Sequence, residues 1–142
     1  MLYISHRGNV NGKTDKENHP EYLINAIELG FEVELDVWLV DDIYVLGHDL
    51  PQYEVKDEFL NNISFWCHAK NTEAFEKMLR NGIHCFWHNV DDYTLTSLGV
   101  PWVYPGKPLF FGSICVLPEI EYNGDISQCM GICSDEIVNY SN

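Results

Sequence analysis

The stretch Phe31-Glu32-Val33-Glu34-Leu35-Asp36-Val37 alternates apolar and acidic side chains without a break. Successive side chains of a β-strand point to opposite faces. Glu32, Glu34 and Asp36 therefore share one face, and Phe31, Val33, Leu35 and Val37 the other. Alternation alone leaves two readings. One is an antiparallel strand with a solvated acidic face. The other is a barrel strand whose acidic face points into the lumen, where three carboxylates repel one another and are expensive to desolvate unless paired. A divalent cation is the natural partner in that case. Glu34 and Asp36 would offer it hard oxygen ligands near the C-terminal end of the strand, where barrel enzymes carry their chemistry.

The histidines favour the second reading. His6 closes a first strand-like run, with Arg7 and Gly8 entering the loop behind it. His48 closes a third run beside Asp49, His68 and Lys70 close a fourth, and His88 closes a fifth. Four of the six histidines thus fall at strand ends, where one barrel rim gathers them.

The elements that must position these residues can be read from periodicity and punctuation. Strand patterns lie near residues 2–6, 31–37, 43–47, 63–69, 83–88, 101–104, 112–117 and 130–134. Asp41-Asp42 forms the turn between the second and third. A helix is expected from Pro20, capped by Asn18 or His19, with Leu23, Ile24 and Ile27 as its apolar stripe and Gly30 as its stop. A second follows the fourth strand, capped by Asn71 or Thr72 and ended by Gly82. Strand–helix–strand order with short connections predicts a parallel sheet. The expected fold is α/β: a reduced TIM-type (β/α) barrel of about eight strands with few outer helices, in a single domain over residues 1–142. The reduction is forced by length, since the full barrel takes about 250 residues. A smaller open α/β sheet is the alternative. From Trp102 to Cys133 there is almost no helical periodicity, so those strands need cover from loops or a second subunit, and exposed strands there favour a homodimer.

Composition narrows the function. The net charge is −14, with only eight Lys and Arg and no window that gathers them, which argues against a nucleic-acid partner. The same charge repels an anionic small substrate unless a bound cation inverts the local field. No apolar run is long enough for a membrane span, and the N-terminus carries a charge too early for a secretory signal, so a cytoplasmic protein is expected. Five cysteines, several in strand-like runs, read as reduced core residues.

Taken in order, His6-Arg7-Gly8, Glu17-Asn18, Glu34-Leu35-Asp36-Val37 and His48-Asp49 resemble the HRG, EN, ExD and HD motifs of the glycerophosphodiester phosphodiesterase family, within the PLC-like phosphodiesterase superfamily. The resemblance covers about the first 50 residues. His68-Ala69-Lys70 looks like a variant of the family's ExK, and Cys133-Ser134-Asp135 looks like its last strand. The resemblance implies a small-molecule phosphodiester substrate, with His6 and His48 as general acid and base. It also implies Arg7 and Lys70 as substrate-binding cations, and Glu34 and Asp36 as ligands of Mg²⁺ or Ca²⁺. His68 stands where the family has a Glu ligand, which brings Mn²⁺ or Zn²⁺ into range. Glu17 would orient the site, and His88 or Glu119 could complete the metal shell. A catalytically reduced barrel that binds a phosphorylated ligand is the alternative function. A hydrolase with a transition metal held by the four histidines is a third.

Overall fold

The computed structural model describes residues Met1–Asn142. In chain order the elements are β1 (Leu2–His6), α1 (Pro20–Glu28), β2 (Glu32–Val40), β3 (Ile43–Leu46), β4 (Tyr53–Val55), β5 (Phe65–Ala69), α2 (Thr72–Arg80), β6 (Cys85–Phe86), β7 (Tyr93–Leu95), β8 (Pro101–Val103), β9 (Ile114–Val116) and β10 (Gly131–Ser134). Both helices begin where their caps predict. The His19 side chain accepts from the Glu21 N–H ahead of Pro20. The Asn71 side chain accepts from the Ala74 N–H. Each satisfies one of the free donors of a first turn. All eight expected strands are present. Two further ones, β4 and β7, are three residues each, too short to leave an alternation pattern.

Seven strands run parallel in the order β6-β5-β2-β1-β10-β9-β8. The first and last strands are thereby neighbours at its centre. β3 and β4 form an antiparallel extension on the second half of β2, and β7 pairs antiparallel with β8. The sheet curls into a half-barrel flanked by only two α-helices, in line with the expected loss of outer helices. It does not form the closed barrel that the strand count suggested. The far edge of β6 is occupied by a loop: Ser97 N–H donates to Cys85 O at 2.7 Å, and Cys85 N–H donates to Ser97 Oγ at 2.9 Å. The backbone N–H and the hydroxyl of Ser97 thus take the bonds that another strand would have used, and the ladder ends. The rings of Phe86 and Trp102, 4.7 Å apart between centroids, span the gap by packing instead.

The alternation of β2 sorts the interior. Val33, Leu35 and Val37 pack outward against Leu23 and Ala26 of α1 and Ala74 and Met78 of α2. Inside the curl, Ile4, Trp66, Phe86, Trp102, Ile114 and Cys133 fill the N-terminal part of the concavity. The helix-poor half is covered by its own loops and the 3₁₀ turn Ile137–Asn139, with Cys115, Ile132 and Ile137 at the centre of that cluster. All five cysteines are free and buried.

Close approach of β1 to β10 depends on Gly131, which pairs with Leu2. A Cβ there would lie 2.9 Å from both Leu2 Cβ and Leu2 O. Gly131→Ala should therefore force the two strands apart and cost about 1–3 kcal/mol, the usual penalty for overpacking. A lowered denaturant midpoint is the expected readout, and an unchanged one would mean the pairing yields freely.

Candidate functional site

A cleft of about 620 Å³ opens at the C-terminal ends of the parallel strands. His6, Arg7, Glu34, His68 and Lys70 line its floor, with His48 on one lip and Tyr104, Leu117 and Ile120 on the other. Arg7 reaches the floor because the chain leaves β1 through two left-handed residues, Arg7 at φ 54° and Gly8 at φ 89°. Glycine suits the second position twice over, since a Cβ there would also lie 2.7 Å from the Tyr22 ring.

Glu34 and Asp36 are both buried, and their environments differ. Asp36 Oδ2 accepts from Asn18 Nδ2 at 2.9 Å and lies 3.1 Å from Arg7 Nε, while Asn18 Oδ1 accepts from the Asp36 N–H at 2.8 Å. Asp36 Oδ1 makes no hydrogen bond. It faces His68 Nδ1 at 3.4 Å and Lys70 Nζ at 3.8 Å. Glu34 Oε1 lies 3.7 Å from the same His68 nitrogen, while Glu34 Oε2 accepts from the Arg7 N–H at 3.3 Å. Glu32, the third carboxylate of the strand, is taken up elsewhere by Trp66 Nε1.

The orientation of His68 decides what this cluster can do. Its Nε2–H donates to the His88 carbonyl at 2.7 Å. Nδ1 is left facing two carboxylates, and a bare lone pair there would be repelled. Either Nδ1 carries a proton or a cation sits among the three donors. Burial disfavours the proton, yet the Asp36 and Glu34 carboxylates facing Nδ1 raise the His68 pKa to about 9. Burial likewise opposes ionisation of Asp36, but contact with His68 and the charge of Arg7 hold its carboxyl well below the ordinary range. Glu34, Asp36 and His68 each offer a ligand atom, all within 4.8 Å of one another. The unpartnered Asp36 oxygen and the carbonyl-fixed imidazole fit a divalent ion, since metal-bound histidines commonly anchor their second nitrogen this way.

His6 is oriented from the far end of the chain. Its Nδ1–H donates to Asp135 Oδ1 at 2.7 Å, and its Nε2 faces the cleft 3.7 Å from Glu34 Oε2. Burial would lower the His6 pKa, but the Glu34 charge and the Asp135 hydrogen bond raise it overall. Asp135 is fixed in turn by Asn9 Nδ2 at 2.8 Å and by Glu119, which accepts from the Asp135 N–H at 2.8 Å and from Ser134 Oγ at 2.9 Å. Both Glu119 oxygens are thus committed to this corner, which removes Glu119 from the expected metal shell. The role of Asp135 is not legible from sequence, because nothing local ties it to a histidine 129 positions away. Only its place at the end of the last strand marks it.

The remaining expected residues fall into place unevenly. Glu17 anchors Arg7 Nη1 at 3.2 Å and Asn9 Nδ2 at 2.9 Å, the orienting part expected of it. His48 is half-exposed and pairs with its neighbour Asp49 at 2.7 Å, with no contact to the Glu34–Asp36 group. His88 supplies its carbonyl to His68, while its ring stacks edge-on to Tyr104. The four histidines therefore do not converge on one centre, and the four-histidine metal site is not formed. No family model, curated protein or solved structure matches this chain.

Burial pushes the Asp135 carboxyl up, but the hydrogen bond from His6 outweighs it and holds the carboxyl below its usual range. A carboxyl depressed in the folded state adds stability above its unfolded value near 4, which is lost as pH falls through the folded value. Asp135→Asn should lower stability at pH 7 by about 2 kcal/mol, the scale of a charge-assisted buried bond. The variant should also flatten the acid side of the stability–pH curve. Parallel curves for the two proteins below pH 5 would contradict the assignment.

Proposed function

We propose that the chain is a metal-dependent phosphodiesterase of the glycerophosphodiester type, built on an α/β half-barrel. The observation that carries this reading is the triplet Glu34–Asp36–His68, adjacent in one cleft to a histidine held by a carboxylate and to two cations. The shared order of the HRG, EN, ExD and HD motifs supports it as a resemblance.

In this reading Glu34, Asp36 and His68 hold the divalent ion. When bound, the ion supplies positive charge against the phosphoryl oxygens. The mixed oxygen and nitrogen donor set suits Mn²⁺ or Zn²⁺ at least as well as Mg²⁺ or Ca²⁺. Arg7, anchored by Asp36 and Glu17, presents charge to the phosphate from a fixed direction, and Lys70 adds a second cation. Both contributions grow in value as negative charge builds on the phosphate oxygens. His6, fixed through Nδ1, can exchange a proton at Nε2 with the ester or its attacking water. His48, steadied by Asp49 on the lip, is the second proton-transfer group.

A second reading rests on His68 standing where the resemblance expects Glu, and on the scarcity of helices in the second half. In it, the cleft binds a phosphorylated ligand without turnover. Hydrolysis of bis-p-nitrophenyl phosphate with Mn²⁺, Mg²⁺, Ca²⁺ or Zn²⁺, against chelator, separates the two. The enzyme reading expects metal-dependent turnover, a fall in kcat of about 10²–10⁴ for His6→Ala, and loss of metal stimulation in Asp36→Asn. Absence of turnover with every ion, from folded protein, would leave the binding reading in its place. His68→Glu sharpens the choice, because gained activity would mark His68 as a decayed ligand.

A further inference from the structure

The opposite end of the half-barrel has a character of its own. Because seven strands run parallel, the segments that enter them all lie at one end, away from the cleft. Met1 enters β1, and the other six segments are Leu29-Gly30-Phe31, Asn61-Asn62-Ile63-Ser64, Asn81-Gly82-Ile83-His84, Ser97-Leu98-Gly99-Val100, Phe110-Phe111-Gly112-Ser113 and Gln128-Cys129-Met130. None contains an Asp, Glu, Lys or Arg, in a chain where 21% of residues are charged. What they expose instead is large and apolar: Ile63 is 95% exposed, Phe111 87% and Leu98 71%, with Leu29 and Met130 also open to solvent.

We infer that this end is the interface of a homodimer, two copies meeting end to end with their clefts facing outward. Charge selects the occupant. Each copy carries −14, so association is favoured through segments that add no carboxylates to the contact, as these six do. A bilayer would call for interfacial Trp or Tyr and a collar of Lys or Arg, which the segments lack. The area also fits. At about 180 Å² for a large apolar residue, the exposed parts of Leu29, Ile63, Leu98, Phe111 and Met130 amount to roughly 600 Å². That is most of the ~800 Å² per partner of a standard interface. Shape agrees as well. A groove of about 200 Å³ runs between Ile63 and Leu98, floored by Ile83 and His84. It is large enough for one aromatic side chain, and the protruding Phe111 lies on the same end. A two-fold axis lying in this face exchanges the Phe111 of one copy with the groove of the other, as an isologous contact requires.

Sedimentation equilibrium of the whole chain tests this, beside the double variant Ile63→Asp/Leu98→Asp and with circular dichroism as the check on folding. Dimeric parent protein at micromolar concentration is expected, tightening as added salt screens the net repulsion. The double variant should weaken the dimer by roughly 30-fold or more, the scale of hot-spot losses. Both replaced side chains are largely exposed in one copy, so thermal unfolding of the variant's monomer should be little changed. A monomeric parent at 0.1 mM overturns the inference. So does a dimer that persists in the folded double variant, and so does a monomer that co-sediments with neutral or anionic phospholipid vesicles, which would assign the face to lipid.

Discussion

Two carboxylates sit on one face of β2, both buried, and most of the cleft end of this protein is arranged to make that tolerable. Burying one unpaired charge costs several kcal/mol, and two of like sign cost more. Asn18, Arg7, Lys70 and His68 all lie within hydrogen-bond or ion-pair distance of Asp36. The left-handed exit of β1 brings Arg7 into place, and the parallel register sets His68 directly beside Asp36. His6-Arg7-Gly8, Glu17-Asn18 and Glu34-Leu35-Asp36-Val37, separate in the sequence, are therefore parts of one electrostatic arrangement, from which His48-Asp49 stands apart.

That arrangement leaves one acceptor oxygen and one imidazole nitrogen facing each other. A purely structural ion pair would be expected to saturate its hydrogen bonds, as the opposite side of Asp36 does through Asn18. The unsatisfied oxygen faces His68 and Lys70, both of which line the cleft. The same carboxylate is thus divided, one oxygen held by Asn18 and one left without a hydrogen bond.

Much of this was legible from residue order because it depends on short-range rules. Alternation along β2 separates the helix-facing valines and leucine from the acids, and the caps at His19 and Asn71 mark where each helix starts. Histidines at strand ends locate the rim. What escaped depends on distance or on exceptions. The pairing of Asp135 with His6 requires knowing that the last strand lies beside the first. The failure of the barrel to close turns on one serine taking the bonds of β6, and β4 and β7 are too short to show a period. Glu119 carries the right chemistry for a ligand, but its location commits it to Ser134 and Asp135. His48 was placed on the correct rim, although its contacts are local.

The adjacency of β1 and β10 also has a consequence in time. His6 is synthesised 129 residues before the carboxylate that orients it. The central pairing of the sheet is the one of longest sequence separation, and loops of that length close late and slowly. The cap-driven helices and the β2–β3 hairpin can form while synthesis continues, but the His6–Asp135 corner stays unmade until β10 has been synthesised. A nascent chain that lacks β10 therefore carries most of the cleft residues without the contact that fixes His6.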